Sequence, residues 1–206
     1  AGCTSLTRVT IPDSVTKIGY KAFEDCTGEL IINGKIVEAN YTGDNYPANS
    51  NNGWLYNAKF TKVTIGNSVT SIGDYAFYNC DSLTTITISD SVTSIGSYAF
   101  YNSTSLKEVY CKATTPPTGG RYIFSYNSSG EYKSIGCIIY VPAASVDAYK
   151  TAQYWSDYAS DIVGYDFEKG EVAIDKIQYT STPTDIVWNY ANDSNSDAGL
   201  ANTDRT

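Results

Sequence analysis

Five cysteines, Cys3, Cys26, Cys80, Cys111 and Cys137, are the first residues of this chain whose type suggests chemistry. Thiolates serve as metal ligands in close pairs or beside His, yet no two of these are neighbours and the sequence has no His. Cys3, Cys26 and Cys80 occupy one place in a recurring phrase that Ser103 fills in the next copy, which reads as a ladder of small buried thiols. Cys137 falls four residues before the inward position Val141, so it is not registered opposite Cys111 for a disulfide. Without His the commonest general base and the usual means of activating a nucleophile are missing. Carboxylates remain, and a glycosidase needs two of them across one bond. Asp13, Asp74, Asp81 and Asp90, however, fall where the chain turns, positions at which short acids bond to backbone amides. Asp193–Gly199 places oxygen side chains at the first, third and fifth positions of a calcium loop with Asp204 at the twelfth. Its glycine comes one place late, after Ala198, and a polar tail is the better reading. "TGG" at 118–120 lacks the Lys-Ser/Thr of a phosphate loop. No catalytic residue, metal or cofactor is expected.

The elements that position these residues come from a repeat. "SVTSIGDYAFYN" at 68–79 returns as "SVTSIGSYAFYN" at 91–102 and, more loosely, as "SVTKIGYKAFED" at 14–25. Phe60, Leu83 and Leu106 mark copies 23 residues apart, an earlier copy runs from Leu6 to Gly28, and residues 29–59 read as a degenerate copy with an Asn- and Gly-rich insertion. Val9, Val63, Ile86 and Val109 form one column, and Ile11, Ile65, Ile88 and Cys111 another. Between them lie Thr10, Thr64, Thr87 and Tyr110, the two-residue period of a strand with one buried face. Val69/Ile72 and Val92/Ile95 predict a second short extended segment, and Gly73 and Gly96 a sharp turn after it. Ala76-Phe77 and Ala99-Phe100 then fill the interior of each turn. One copy cannot cover its own apolar face, so the copies must stack. "GCTSL" at the start matches the end of a repeat, and the chain reads as beginning partway through an array.

Composition fits a packed β-rich body: 42% hydrophobic residues, 17% charged, and nineteen Tyr against six Phe. The net charge of −8 and the lack of any basic cluster exclude nucleic acid as a partner. No apolar run is long enough to span a bilayer, so this segment is not expected to insert into a membrane. Residues 1–160 carry 13 acids and 11 bases, whereas residues 161–206 carry 9 and 3, a shift that separates a body from an acidic tail. Asn-x-Ser/Thr triplets at Asn40, Asn102, Asn127 and Asn192 are what an Asn- and Ser-rich chain produces by chance.

The pattern L-x-x-V-x-I-P-x-S-V-T-x-I-G-x-x-A-F-x-x-C over residues 1–110 closely resembles the BspA-type leucine-rich repeat of bacterial surface and secreted proteins. The resemblance implies a β-rich leucine-rich-repeat solenoid, with short strands and short helical turns in each repeat. It also implies a function in adhesion or recognition at the cell surface or outside the cell, with no catalytic residues to carry over. Residues 111–167 read as a C-terminal repeat and cap, in which "SVDAYKTA" is a short helix started by Ser145 and "YWSDY" covers the open core. Residues 168–206 read as an acidic tail or the start of a following unit, packed weakly on the array.

Stacked first strands present one continuous outward face, on which ligand contacts accumulate. Its residues are Arg8, Thr10, Lys62, Thr64, Thr85, Thr87, Glu108, Tyr110, Ile138 and Tyr140, basic at the start and aromatic towards the cap. The binding residues expected are Tyr110 and Tyr140 as anchors with Thr85, Thr87 and Glu108 as polar neighbours. An extracellular, host-derived protein is the expected partner. Glycan recognition and a passive spacer within a larger surface protein are the alternatives, and the inserted loop around Tyr46 and Trp54 is the other candidate site.

Overall fold

The computed structural model describes residues 6–15, 18, 22–34, 55 and 58–173. Cys3, Gly19, Tyr46, Trp54, the Asn40 and Asn192 triplets, the calcium-loop reading of Asp193–Asp204 and the tail from residue 174 lie outside the described residues. In chain order the strands are β1 (Arg8–Ile11), β2 (Thr27–Ile32), β3 (Lys59–Ile65), β4 (Ser71–Ile72), β5 (Thr85–Ile88), β6 (Ser94–Ile95) and β7 (Glu108–Cys111). They continue as β8 (Thr118–Gly119), β9 (Ser125–Ser128), β10 (Glu131–Ser134), β11 (Ile138–Pro142), β12 (Ile162–Asp166) and β13 (Glu171–Val172). Among the described residues the single α-helix is α1 (Val146–Thr151), flanked by 3-10 turns at Ala143–Ser145 and Ser156–Tyr158.

Alternation along each first strand builds an eight-stranded sheet in the order β1-β2-β3-β5-β7-β11-β12-β13, parallel except for the last pair. The register aligns Val9, Leu30, Val63, Ile86, Val109, Ile139 and Ile162 in one inward column, and Ile11, Ile32, Ile65 and Ile88 in the next. Leu30 and Ile32 thus give the degenerate copy its own rung, after a register shift at Gly28/Glu29. The second extended segments form a parallel ladder, β4-β6-β8. A Cβ on Gly96 would meet the backbone nitrogen and carboxylate of Asp74, and one on Gly120 would meet the backbone of Ser97, so these rungs approach too closely for a side chain.

In the repeats over residues 60–105 the third side differs from the expectation of helical turns. The amides of Tyr75, Phe77 and Asn79 donate to the carbonyls of Ser97, Ala99 and Tyr101 in the next repeat, at 3.0, 2.7 and 2.9 Å. Those of Tyr98, Phe100 and Asn102 do the same to Arg121, Ile123 and Ser125. Tyr75, Asn79, Tyr98 and Asn102 have φ between 55° and 59°, the left-handed region, which breaks any run of helical dihedrals. Amides that bond sideways to the next rung cannot close a helix, so these two repeats make a turn there, and among the described residues the α-helix belongs to the closing segment. Inside this ladder Phe77, Phe100 and Phe124 stack face to face, with centroids 5.1 and 5.2 Å apart. Phe124 belongs to a further copy, "GGRYIFS" at 119–125, whose 24-residue offset from "IGSYAFY" sequence reading passed over.

Three aromatic residues of the segment after β11 pack on the core. Trp155, Tyr149 and Tyr158 are buried over the last rung. Each places its polar atom: Trp155 Nε1 donates to Pro117 O at 2.7 Å, Tyr149 Oη to Ala113 O at 2.8 Å, and Phe124 N donates to Tyr158 Oη at 3.1 Å. Ser145 precedes α1 but does not cap it. Its φ of −105° and ψ of −3° aim the hydroxyl away, and it donates to Thr114 O at 2.7 Å. The position 167/168, where sequence expects the tail to begin, lies in the turn between β12 and β13, which pair antiparallel. There Asp166 accepts from the amides of Glu168 and Lys169, both at 3.0 Å, and these hold its carboxyl below the usual carboxylate range.

Candidate recognition surface

Outward positions of the large sheet fall in two rows. One runs Arg8, Glu29, Lys62, Thr85, Glu108, Ile138, and the other Thr10, Ile31, Thr64, Thr87, Tyr110, Tyr140, Val163. The structure therefore brings Thr85, Thr87, Glu108, Tyr110 and Tyr140 onto adjacent rungs. The basic beginning expected for this face is neutralised by a residue the degenerate repeat hid. Glu29 accepts from Arg8 Nη2 at 2.9 Å and lies 3.6 Å from Lys62 Nζ, and the Arg8 hydrogen bond holds its carboxyl below the usual range.

The aromatic end is more extensive than the sequence reading. Tyr110 and Tyr140 stack with centroids 4.7 Å apart and ring planes 20° from parallel. Tyr165 packs against both, edge-on to Tyr110 at 5.3 Å and tilted on Tyr140 at 5.1 Å. Phe167 meets Tyr165 at 4.9 Å, and the Lys112 ammonium sits 5.9 Å from the Phe167 centroid. Tyr165 and Phe167 were missed because β12 has no copy in the array; the alternation Val163-x-Tyr165-x-Phe167 was the available signal. Glu108 accepts from Thr85 Oγ1 at 3.5 Å and hydrogen-bonds the Tyr110 hydroxyl. Burial first, then the Glu108 charge, push Tyr110 up to about 12, and the same causes raise Tyr140. The hydroxyls stay protonated at neutral pH, able to donate. A groove of about 480 Å3 opens in front of Tyr110, with Lys62, Thr85, Thr87 and Glu108 on its floor and Lys112, Tyr165 and Phe167 on its wall.

A second aromatic array lies over the turns. Tyr75 stacks on Tyr98 at 5.0 Å and Tyr78 on Tyr101 at 5.6 Å, and Tyr132 of the β9–β10 hairpin closes it by stacking on Tyr122 at 3.8 Å. Its rings cover one another's faces. The void lined by Leu30, Leu55, Phe60 and Phe77 measures about 10 Å3, too little for a small-molecule ligand. Among the described residues no cluster of His, Cys, Asp or Glu could hold a metal, and no helix is long and apolar enough to cross a membrane.

This stacking of short repeats matches a known class. Residues 1–41 and 50–137, more than half of the chain, match the BspA type leucine rich repeat region in six copies. The chain belongs to this family. Leucine-rich repeats of this kind generally mediate protein interaction and are typically non-enzymatic, and their proteins are typically bacterial surface or secreted ones. Comparison with curated proteins finds no significant match.

Proposed function

We propose that the chain is a non-enzymatic recognition module of a bacterial cell-surface or secreted protein, adhering to an extracellular, host-derived protein. In this reading the repeats of residues 1–110 wind as a solenoid, residues 111–167 close it, and the outward face of the large sheet meets the partner. Tyr110 and Tyr140 are the anchors, with Thr85, Thr87 and Glu108 around them. The observation that carries the reading is the solvent-facing cluster of Tyr110, Tyr140, Tyr165 and Phe167 on adjacent rungs. Rigid rings give contact area at low entropic cost and dominate binding energy where they cluster. A passive spacer would have scattered charges there instead. The test is a panel of extracellular-matrix proteins probed with wild type and with the Tyr110→Ala/Tyr140→Ala double mutant. Loss of two anchors is expected to weaken binding by about 2–4 kcal/mol. Unchanged affinity in a folded double mutant overturns the site.

A further inference from the structure

In a parallel sheet each outward side chain is flanked by its register neighbours on adjacent strands, about 4.8 Å to either side. Tyr110 has Tyr140 on one side, stacked at 4.7 Å, and Thr87 on the other. A threonine is too short to cover a phenol ring. Tyr140 backs Tyr110 on one side and Tyr165 meets it edge-on at 5.3 Å, while Tyr110 and Thr87 together line the groove of about 480 Å3. That size is within the roughly 300–1,000 Å3 of small-ligand sites.

We propose that this step from Thr87 to Tyr110 is a saccharide site, in which a neutral pyranose ring lies against Tyr110 where it lines the groove. The inference rests on the recognition reading above and names what the partner inserts: a sugar ring of its glycan. The lining selects among occupants. Glu108 offers acceptor capacity beyond its bonds to Thr85 and Tyr110, Thr85 and Thr87 offer hydroxyls, and Lys112 offers an ammonium donor, while Lys62 is already paired with Glu29. An apolar side chain seated here would cover these groups unpaired, which is costly. A polyanion would meet the Glu108 carboxylate. A neutral sugar satisfies both kinds of group, because each hydroxyl donates and accepts, while its C–H face lies against the electron-rich ring.

Saturation-transfer NMR of the full chain with glucan, mannan, galactan and chitin oligosaccharides tests the site, with a heparin fragment as polyanion probe. At least one neutral oligosaccharide is expected to bind. Thr87→Tyr places a ring in register against Tyr110, fills the step and is expected to lower that affinity about tenfold or more, with a melting temperature at or above wild type. Tyr110→Ala removes the platform from the other side and is expected to have the same effect, which keeps the test decisive if Thr87→Tyr fails to fold. Neutral-sugar binding that survives both substitutions overturns the site, as does binding of heparin alone. A silent sugar panel beside a matrix-protein interaction lost in Tyr110→Ala/Tyr140→Ala overturns the saccharide and leaves the recognition reading standing.

Discussion

Ser103 stands in the ladder where Cys80 stands one repeat earlier, and its hydroxyl does what a thiol does poorly. It donates to Phe77 O at 2.8 Å and accepts from Cys80 N at 3.0 Å. The fold therefore accepts oxygen at this position, and Cys80→Ser is expected to change stability by less than about 1 kcal/mol. Phe77 is fully buried between neighbours that cannot collapse inward, and Phe77→Ala is expected to cost about 3–5 kcal/mol; urea unfolding of both variants checks the ranking. The thiols themselves are built to be inert. Cys111 and Cys137 are buried and Cys80 half-buried; desolvation pushes Cys80 and Cys137 up to about 12 and Cys111 up to about 11, so almost no thiolate exists at neutral pH. Cys80, Cys111 and Cys137 are free thiols, and native labelling of these and of Cys26 with a thiol reagent is expected to be slow until denaturant is added. Rapid labelling of both Cys26 and Cys80 in the native protein refutes the ladder. This much was legible from alignment alone, because a column of Cys and Ser names its own environment.

Elements were legible where a residue's partner is a copy of itself. The first strands, the second strands and the Phe stack follow from a 23-residue period, since the neighbour of each position is known without a structure. The turns were not legible, because "YAFYN" has the small and large apolar residues of a helix and its amides' destination depends on the adjacent rung. Tyr75 and Tyr98 adopt a backbone conformation that bulky residues seldom take, and rung-to-rung hydrogen bonds and ring stacking hold them there. β12 and β13 escaped for the opposite reason: having no copy, they lack a period, and Gly164 interrupts the first as a strand signal. Half of the aromatic cluster beside the groove went with them. The tight second ladder gives the prediction at this scale. Gly96→Ala drives a methyl into the backbone of Asp74 and is expected to destabilise the protein by about 1–3 kcal/mol, read as a lower urea midpoint. A wild-type midpoint in that variant means the rungs lie further apart than described.

Across the whole molecule, tyrosines line the strand face, the turns and the closing segment, and their ionisation couples all of these to pH. Burial is the first cause in each case: it pushes Tyr110 on the strand face and Tyr98 on the turn face up to about 12. It also raises Tyr101 over the turns, Tyr140 on the strand face, and Tyr149 and Tyr158 in the cap. In the unfolded chain these groups ionise near 10.0, and in the folded protein they keep their protons to higher pH. Below the unfolded value both states are protonated and stability does not depend on them. Between there and about 12 the unfolded chain has released protons that the folded one retains, so stability falls as pH rises. A chain already at −8 gains further negative charge as it opens, which adds repulsion against refolding. Urea midpoints are therefore expected to hold from about pH 7 to about pH 9 and then drop steeply towards about pH 12, while tyrosinate absorbance of the native protein lags that of the unfolded chain. Native tyrosines that all titrate as the unfolded ones do, with a midpoint insensitive to pH, would contradict the burial of these rings.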